Sequence, residues 1–228
     1  YGTTAITAVT AQNTLGVVDV MALPPAFVVA QIEAVASDFA LAATKIGMLS
    51  TGEIAVAVAQ AIARLALPRV VLDTVMLASD GTVLGDENAT NVMRSLLLPL
   101  ANVVTANLQE AERLTGIAIT SVDDMRRAAT ALVAMGARAA IVKGGHLDGD
   151  PVDVVYDGHV HTELRGLRIA TPHTHGTGCT FAAAVAARLA LGEDTLAAAR
   201  GAKTYVARAI AQAPGLGHGH GPLQHFPR

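Results

Sequence analysis

The stretch His173-Thr174-His175-Gly176-Thr177-Gly178-Cys179-Thr180 runs straight into the apolar segment 181–191. Two glycines in a short turn let backbone N–H groups come close to a ligand. The residues that follow are strong helix formers, enough for about three turns. A glycine turn feeding a helix N-terminus makes an anion site, because the first-turn N–H groups lack helical partners and the macrodipole favours negative charge. Thr177 and Thr180 add hydroxyls, and at the helix mouth the thiolate form of Cys179 is expected to be favoured. The same residues also suit a plain tight loop with a threonine cap. A phosphate site would need partners elsewhere in the chain.

Candidates for those partners sit at the ends of apolar runs. Asp73 follows Val-Val-Leu, where it either caps a turn or holds Mg²⁺ directly or through water. Glu110 falls in the first turn of a helix opened by Asn107, a position that the helix dipole favours in any case. There it offers a second carboxylate, while Asn107 is a natural N-cap. Lys143 ends another apolar run before two glycines; it is a surface lysine or a point charge for transferring phosphates. Met48 is a core residue or a soft wall for a flat aromatic substrate. His146, His173 and His175 have no carboxylate or cysteine at a recognisable zinc spacing. The tail Gly217-His218-Gly219-His220-Gly221-Pro222 reads as a packing loop. Phosphoryl transfer needs an anion cradle, a Mg²⁺ position, a cation and a group that orients the attacking hydroxyl. All four have candidates, and no Walker-type loop is present.

These residues must be positioned by the elements around them. Segment 5–11 reads as a buried strand ending at Gln12-Asn13-Thr14, and Pro24-Pro25 starts a helix with Phe27, Val28, Ile32 and Val35 on one face. Strands are expected at 43–46, 69–72, 102–105 and 139–142, and a hairpin at 152–156 and 159–164 around Asp157-Gly158. Helices are expected at 52–65, around 88–98 after a loop with Ser79-Asp80-Gly81, at 123–135 capped by Ser121, at 181–191 and at 195–213. Alternating strands and helices predict an α/β fold, an open and mostly parallel sheet with helices on both faces. Ligands in such folds sit beyond the carboxyl ends of the strands. Gln12, Gly47-Met48, Asp73, Asn107 with Glu110, Lys143 and the glycine turn are all expected at that edge.

Composition narrows the alternatives. The 228 residues suit one domain, 1–228, with a sizeable core. A net charge of −3 without a basic run argues against nucleic acid. No apolar stretch reaches the roughly 18 to 20 residues of a membrane span. The lone cysteine excludes an intrachain disulfide and fits a reducing, cytoplasmic setting.

The chain resembles the hydroxymethylpyrimidine/phosphomethylpyrimidine kinases of thiamine biosynthesis, within the ribokinase-like superfamily. The resemblance rests on 8–14 (AVTAQNT), 45–49 (KIGML), 71–76 (VLDTVM), 107–111 (NLQEA), 142–146 (VKGGH), 173–180 (HTHGTGCT) and 217–222 (GHGHGP), in the family's order. It implies ATP-dependent phosphorylation of the pyrimidine alcohol and then of its monophosphate, with Mg²⁺, in a homodimer. It also implies roles. Gln12 would hydrogen-bond the pyrimidine, and Met48 and Val75 would line the ring pocket. Asp73 and Glu110 would serve the metal, supported by Asn107. Lys143 and Thr177 would face the ATP phosphates, and Gly176 and Gly178 would form the anion hole. Cys179 would stand where most ribokinase-like enzymes carry an aspartate base, as base or orienter.

The family's first strand and its Gly-Ser-Asp…Ser-Gly-Gly-Ala-Gly segment would lie before Tyr1. Thr74 and Ala106 stand where the family usually has proline, and both are expected to loosen loop geometry. Two other readings share the fold: a pyridoxal/pyridoxine kinase, and a non-catalytic pyrimidine-phosphate-binding regulator.

Overall fold

The computed structural model describes residues 1–76, 86–145, 147 and 149–227; the Ser79-Asp80-Gly81 loop and His146 lie outside them. Strands Val70–Asp73, Val103–Asn107 and Ala140–Lys143 form the middle of a six-stranded sheet. We number the strands β1 (Ala8–Asn13), β2 (Gly16–Ala22), β3 (Thr44–Ile46), β4 (Val70–Asp73), β5 (Val103–Asn107), β6 (Ala140–Lys143), β7 (Val152–Tyr156) and β8 (His161–Arg165). The sheet order is β3-β4-β5-β6-β7-β8. Pairings from β3 to β6 are parallel, and β6-β7 and β7-β8 are antiparallel. The sheet is therefore mixed, with a parallel half that aligns four carboxyl ends and a hairpin at the other side.

The middle strands are apolar on both faces because both faces are covered. Val70, Leu72, Val104, Ala140, Val142 and Val154 point into one core, and Val71, Val103, Ile141 and Val155 into the other. The first core is closed by helices α2 (Gly52–Leu65), α4 (Leu108–Thr115) and α5 (Val122–Ala134). The α1 helix (Pro25–Asp38) packs outside α2 and buries Val28. Helices α6 (Thr177–Ala190) and α7 (Thr195–Ala211) close the second core. The expected helix around 88–98 is instead α3 (Glu87–Val92), a π-turn over Met93–Leu97 and a 3₁₀ turn over Leu98–Leu100. Pro99 has no N–H to continue the α-helical ladder, which accounts for the break.

The amino-terminal strand departs most from expectation. Strand β1 is not a buried member of the central sheet; it pairs only with β2, in a separate antiparallel ribbon. The β-propensity of 5–11 was legible, but propensity does not say which sheet a strand joins. Val9, Val18 and Met21 of this ribbon are exposed, as is Phe27 on α1, which does not share the buried face of Val28. The ribbon's root is held by Gln31, which bonds both the N–H and the C=O of Ile6, and by Thr7 Oγ1 donating to the Met48 carbonyl at 2.8 Å.

Candidate active site

The parallel half of the sheet delivers its polar residues to one edge. Asp73 ends β4, Asn107 ends β5 and Lys143 ends β6, with Asn107 in register with Lys143. Asp73 is 1% exposed. Its Oδ1 accepts from Thr105 Oγ1 at 2.8 Å and from Lys143 Nζ at 3.3 Å. Lys45, from β3, places its ammonium 3.3 Å from Oδ2. That contact is coulombic, since Oδ2 takes no directed hydrogen bond. Burial works against the Asp73 charge, but the two ammoniums and the Thr105 hydroxyl outweigh it and hold its pKa below the ordinary value.

Glu110 is the reciprocal case. Asn107 and Glu110 form a capping box: Asn107 Oδ1 accepts from the Glu110 N–H at 2.9 Å, and Glu110 Oε2 from the Asn107 N–H at 2.7 Å. Burial pushes the Glu110 carboxyl up, aided by the charge of Asp73, against the pull of Lys143 and the Asn107 amide. Lys143 sits between the two carboxylates, which raise its pKa although burial opposes this. One half-buried cation thus serves two acids.

Thr74 is tied into this edge. It is fully buried, its N–H donates to the Thr105 carbonyl at 3.1 Å, and its hydroxyl lies 3.2 Å from both that carbonyl and Glu110 Oε2. Ala106 lies inside β5, fully buried and in register with Val142.

The glycine turn meets the same point from above. The helix begins at Thr177, earlier than expected, so that Gly178 and Cys179 lie in the first turn of α6. Gly176 is the N-cap at φ 81°, a conformation that L side chains rarely adopt. Its carbonyl accepts from the Thr180 N–H at 2.8 Å. The Thr177 N–H and hydroxyl both turn to the Thr174 carbonyl, at 3.2 and 2.7 Å, so this hydroxyl proton is already engaged. Among the described residues the amides of Gly178 and Cys179 have no acceptor, leaving them to a ligand. A Cβ on Gly178 would stand 3.1 Å from Lys143 Nζ. The lysine tip therefore lies directly under the open amides.

Cys179 is exposed, yet its thiol is pushed up. Desolvation in the cleft comes first and the Asp73 carboxylate second, against the pull of Lys45 and Lys143. The expected thiolate is therefore opposed here, first by desolvation in the cleft and then by the Asp73 carboxylate.

Met48 and Val75 follow the adjacent strands β3 and β4, both half-buried, and so share the edge. Gln12 does not share it; it is exposed on the separate ribbon, where Thr10 Oγ1 lies 3.5 Å from its Oε1. Lys45 and Thr105 join the site without standing out in the sequence. The signal for Thr105 was a polar side chain inside a short strand between Val104 and Ala106, which demands a buried partner. Among the described residues no group of three His, Cys, Asp or Glu side chains is arranged to hold a metal. Mg²⁺ needs no such cage, since it keeps several waters and uses one or two carboxylates plus phosphate oxygens. Asp73 Oδ2, buried without a directed hydrogen bond, and Glu110 beside it fit that requirement.

A helix mouth with open amides above a lysine shared by two carboxylates, at the carboxyl edge of an α/β sheet, defines a ribokinase-like phosphotransferase site. Residues 1–224 match the phosphomethylpyrimidine kinase family, and the chain belongs to it. It is 50% identical over 228 residues to the hydroxymethylpyrimidine/phosphomethylpyrimidine kinase of Synechococcus elongatus, covering 99% of this chain and 86% of that one. Among solved structures it superposes on an ADP complex of Bacillus subtilis pyridoxal kinase with TM-score 0.90 and 35% identity, covering 99% of this chain and 86% of the other. The phosphomethylpyrimidine kinase from Clostridium difficile follows with TM-score 0.82 and 36% identity, over 92% and 87% of the two chains.

Proposed function

We propose that the chain, as one domain, transfers the γ-phosphoryl group of ATP to 4-amino-5-hydroxymethyl-2-methylpyrimidine and then to its monophosphate, giving the diphosphate for thiamine assembly. The observation that carries this reading is the position of Lys143, whose Nζ lies 3.3 Å from Asp73 Oδ1 and 3.1 Å from where a Cβ on Gly178 would stand, beside the open amides of the turn. The family membership and the names of the relatives supply the substrate class.

In this reading the Gly178 and Cys179 amides hold the transferring phosphoryl oxygens, in a turn shaped by Gly176 and Thr177. Lys143 neutralises the charge that develops as the β–γ bond breaks. Asp73 and Glu110 would hold Mg²⁺, which supplies further charge neutralisation when bound, and Asn107 fixes Glu110 through the capping box. Met48 and Val75 line the ring pocket, and Gln12 would hydrogen-bond the pyrimidine only once the separate ribbon brings it to that pocket. Cys179, protonated at rest, orients the attacking hydroxyl rather than waiting as a thiolate base.

The exposed apolar side chains of the ribbon, Val9, Val18 and Met21, together with Phe27, support a homodimer formed through this face. Among the described residues no helix is long and apolar enough to cross a membrane. The lone cysteine favours a cytoplasmic setting.

The test is ADP release with hydroxymethylpyrimidine, its monophosphate and pyridoxine in parallel. Turnover on both pyrimidines is expected. Turnover on pyridoxine alone would move the protein to vitamin B6 salvage, the reading that pyridoxal kinase neighbours fit. Pyrimidine binding without ADP would favour a regulator. A Mg²⁺ titration unchanged by Asp73→Asn would count against Asp73 as a metal residue.

A further inference from the structure

The loop 215–222 is absent from the chemistry above, yet it joins both walls of the cleft. On one side it grips the tip of the β1-β2 ribbon. Thr14 Oγ1 accepts from the N–H groups of His218 at 3.2 Å and Gly219 at 3.3 Å, and the Thr14 carbonyl accepts from the His220 N–H at 2.8 Å. On the other side the Gly221 carbonyl accepts from the His175 N–H at 3.1 Å, and Pro222 bridges to His175, one residue before the N-cap of α6. The glycine spacing is what lets the loop close so tightly. A Cβ on Gly217 would meet Thr14 Oγ1 at 2.3 Å, and one on Gly219 would meet the Thr14 carbonyl oxygen at 2.1 Å.

On the reading of the cleft as a pyrimidine kinase site, we propose that Thr14 is a positioning residue. It pins the ribbon that carries Gln12 to the loop that buttresses the phosphate-binding turn, so that acceptor and phosphoryl group are held in one frame. The side chain is suited to this because a single hydroxyl oxygen accepts two successive amides. The two backbones then meet without an intervening side chain. Valine at position 14 keeps the shape and leaves both amides unpaired; serine keeps the acceptor. Alanine at 219 acts from the opposite side, and Gly219 has no left-handed φ that would strain it for another reason.

Hydrogen exchange and steady-state kinetics on Thr14→Val, Thr14→Ser and Gly219→Ala test this. Losing the two hydrogen bonds from the His218 and Gly219 amides should speed exchange across β1 and β2 by about tenfold, with the interior of α6 unchanged. In Thr14→Val the KM for the acceptor alcohol should rise about tenfold while the KM for ATP stays within about twofold, and Thr14→Ser should restore the acceptor KM. Gly219→Ala should repeat the Thr14→Val pattern. Ribbon amides protected as in the unaltered protein in both loosening variants would overturn the clasp. A loosened ribbon with an unmoved acceptor KM would overturn its positioning role. If the unaltered protein phosphorylates no pyrimidine, the functional reading fails by itself, and exchange in the ribbon still decides whether Thr14 holds it.

Discussion

Lys143 on β6 and Asp73 on β4 meet across the whole width of β5, with Nζ and Oδ1 3.3 Å apart. The strand between them contributes Thr105, whose hydroxyl donates to the same Oδ1. A second lysine, Lys45, faces the other oxygen. The site is therefore built around a buried carboxylate with two cations, of which Lys143 stands 3.1 Å from the Cβ position of Gly178.

This asymmetry separates the two lysines. Lys143→Met should lower kcat by about 10²- to 10³-fold, the cost of removing a charge aimed at the transition state. Lys45→Met, which leaves that charge in place, should cost less activity. Parallel kcat measurements check the order; a larger loss in Lys45→Met would reverse the assignment.

Gly178→Val should abolish transfer and leave the fold intact. Its Cβ would meet only the far end of the Lys143 side chain, and the position is helical rather than left-handed. Thermal unfolding should change by no more than a few degrees while ADP release disappears. Near-normal kcat would remove the anion-hole assignment.

Cys179 gives a direct readout because it is the lone cysteine. Its raised pKa means that the thiolate appears only above the ordinary value of 9.0. Iodoacetamide should therefore react slowly near neutral pH, with a rate that still climbs past pH 9. Asp73→Asn removes the opposing charge and should bring that climb to lower pH. A plateau already present near pH 7 would restore the thiolate reading.

Glu110 links the site to stability. Its folded pKa lies above the unfolded value of about 4.5, so its contribution is fully present below the unfolded pKa and is lost as pH rises through the folded one. Glu110→Gln retains an acceptor for the Asn107 N–H and removes the buried charge. Its melting temperature relative to the unaltered protein should be higher at pH 8 than at pH 5, even as activity falls. The opposite trend across melting curves at the two pH values would refute the sign.

Much of this arrangement was legible in the chain. Mostly apolar strands of four or five residues ending in Asp73, Asn107 and Lys143 specify buried parallel strands, because only a sheet covered on both faces has use for them. The helix expected at 52–65 matches α2 to its ends, and the structure shows its cap, the Thr51 side chain accepting from the Ile54 N–H. The glycine turn was legible as the start of a helix, and open first-turn amides follow because they lack helical partners wherever a helix starts.

Other features depended on contacts between residues far apart in sequence. Nothing local to 8–13 tells a ribbon strand from a sheet strand; the pairing with β2 and the grip of Thr14 on residues 218–220 decide it. Thr74 becomes an ordering residue only because Thr105 and Glu110 converge on it. The charge state of Cys179 follows the same logic. The helix mouth favours a thiolate, but desolvation in the cleft and then Asp73, 106 positions earlier, push the thiol's pKa up. Local propensity depends on neighbours a few residues away, which the chain itself spells out. Electrostatics and strand pairing depend on distance in space, which only the folded chain sets.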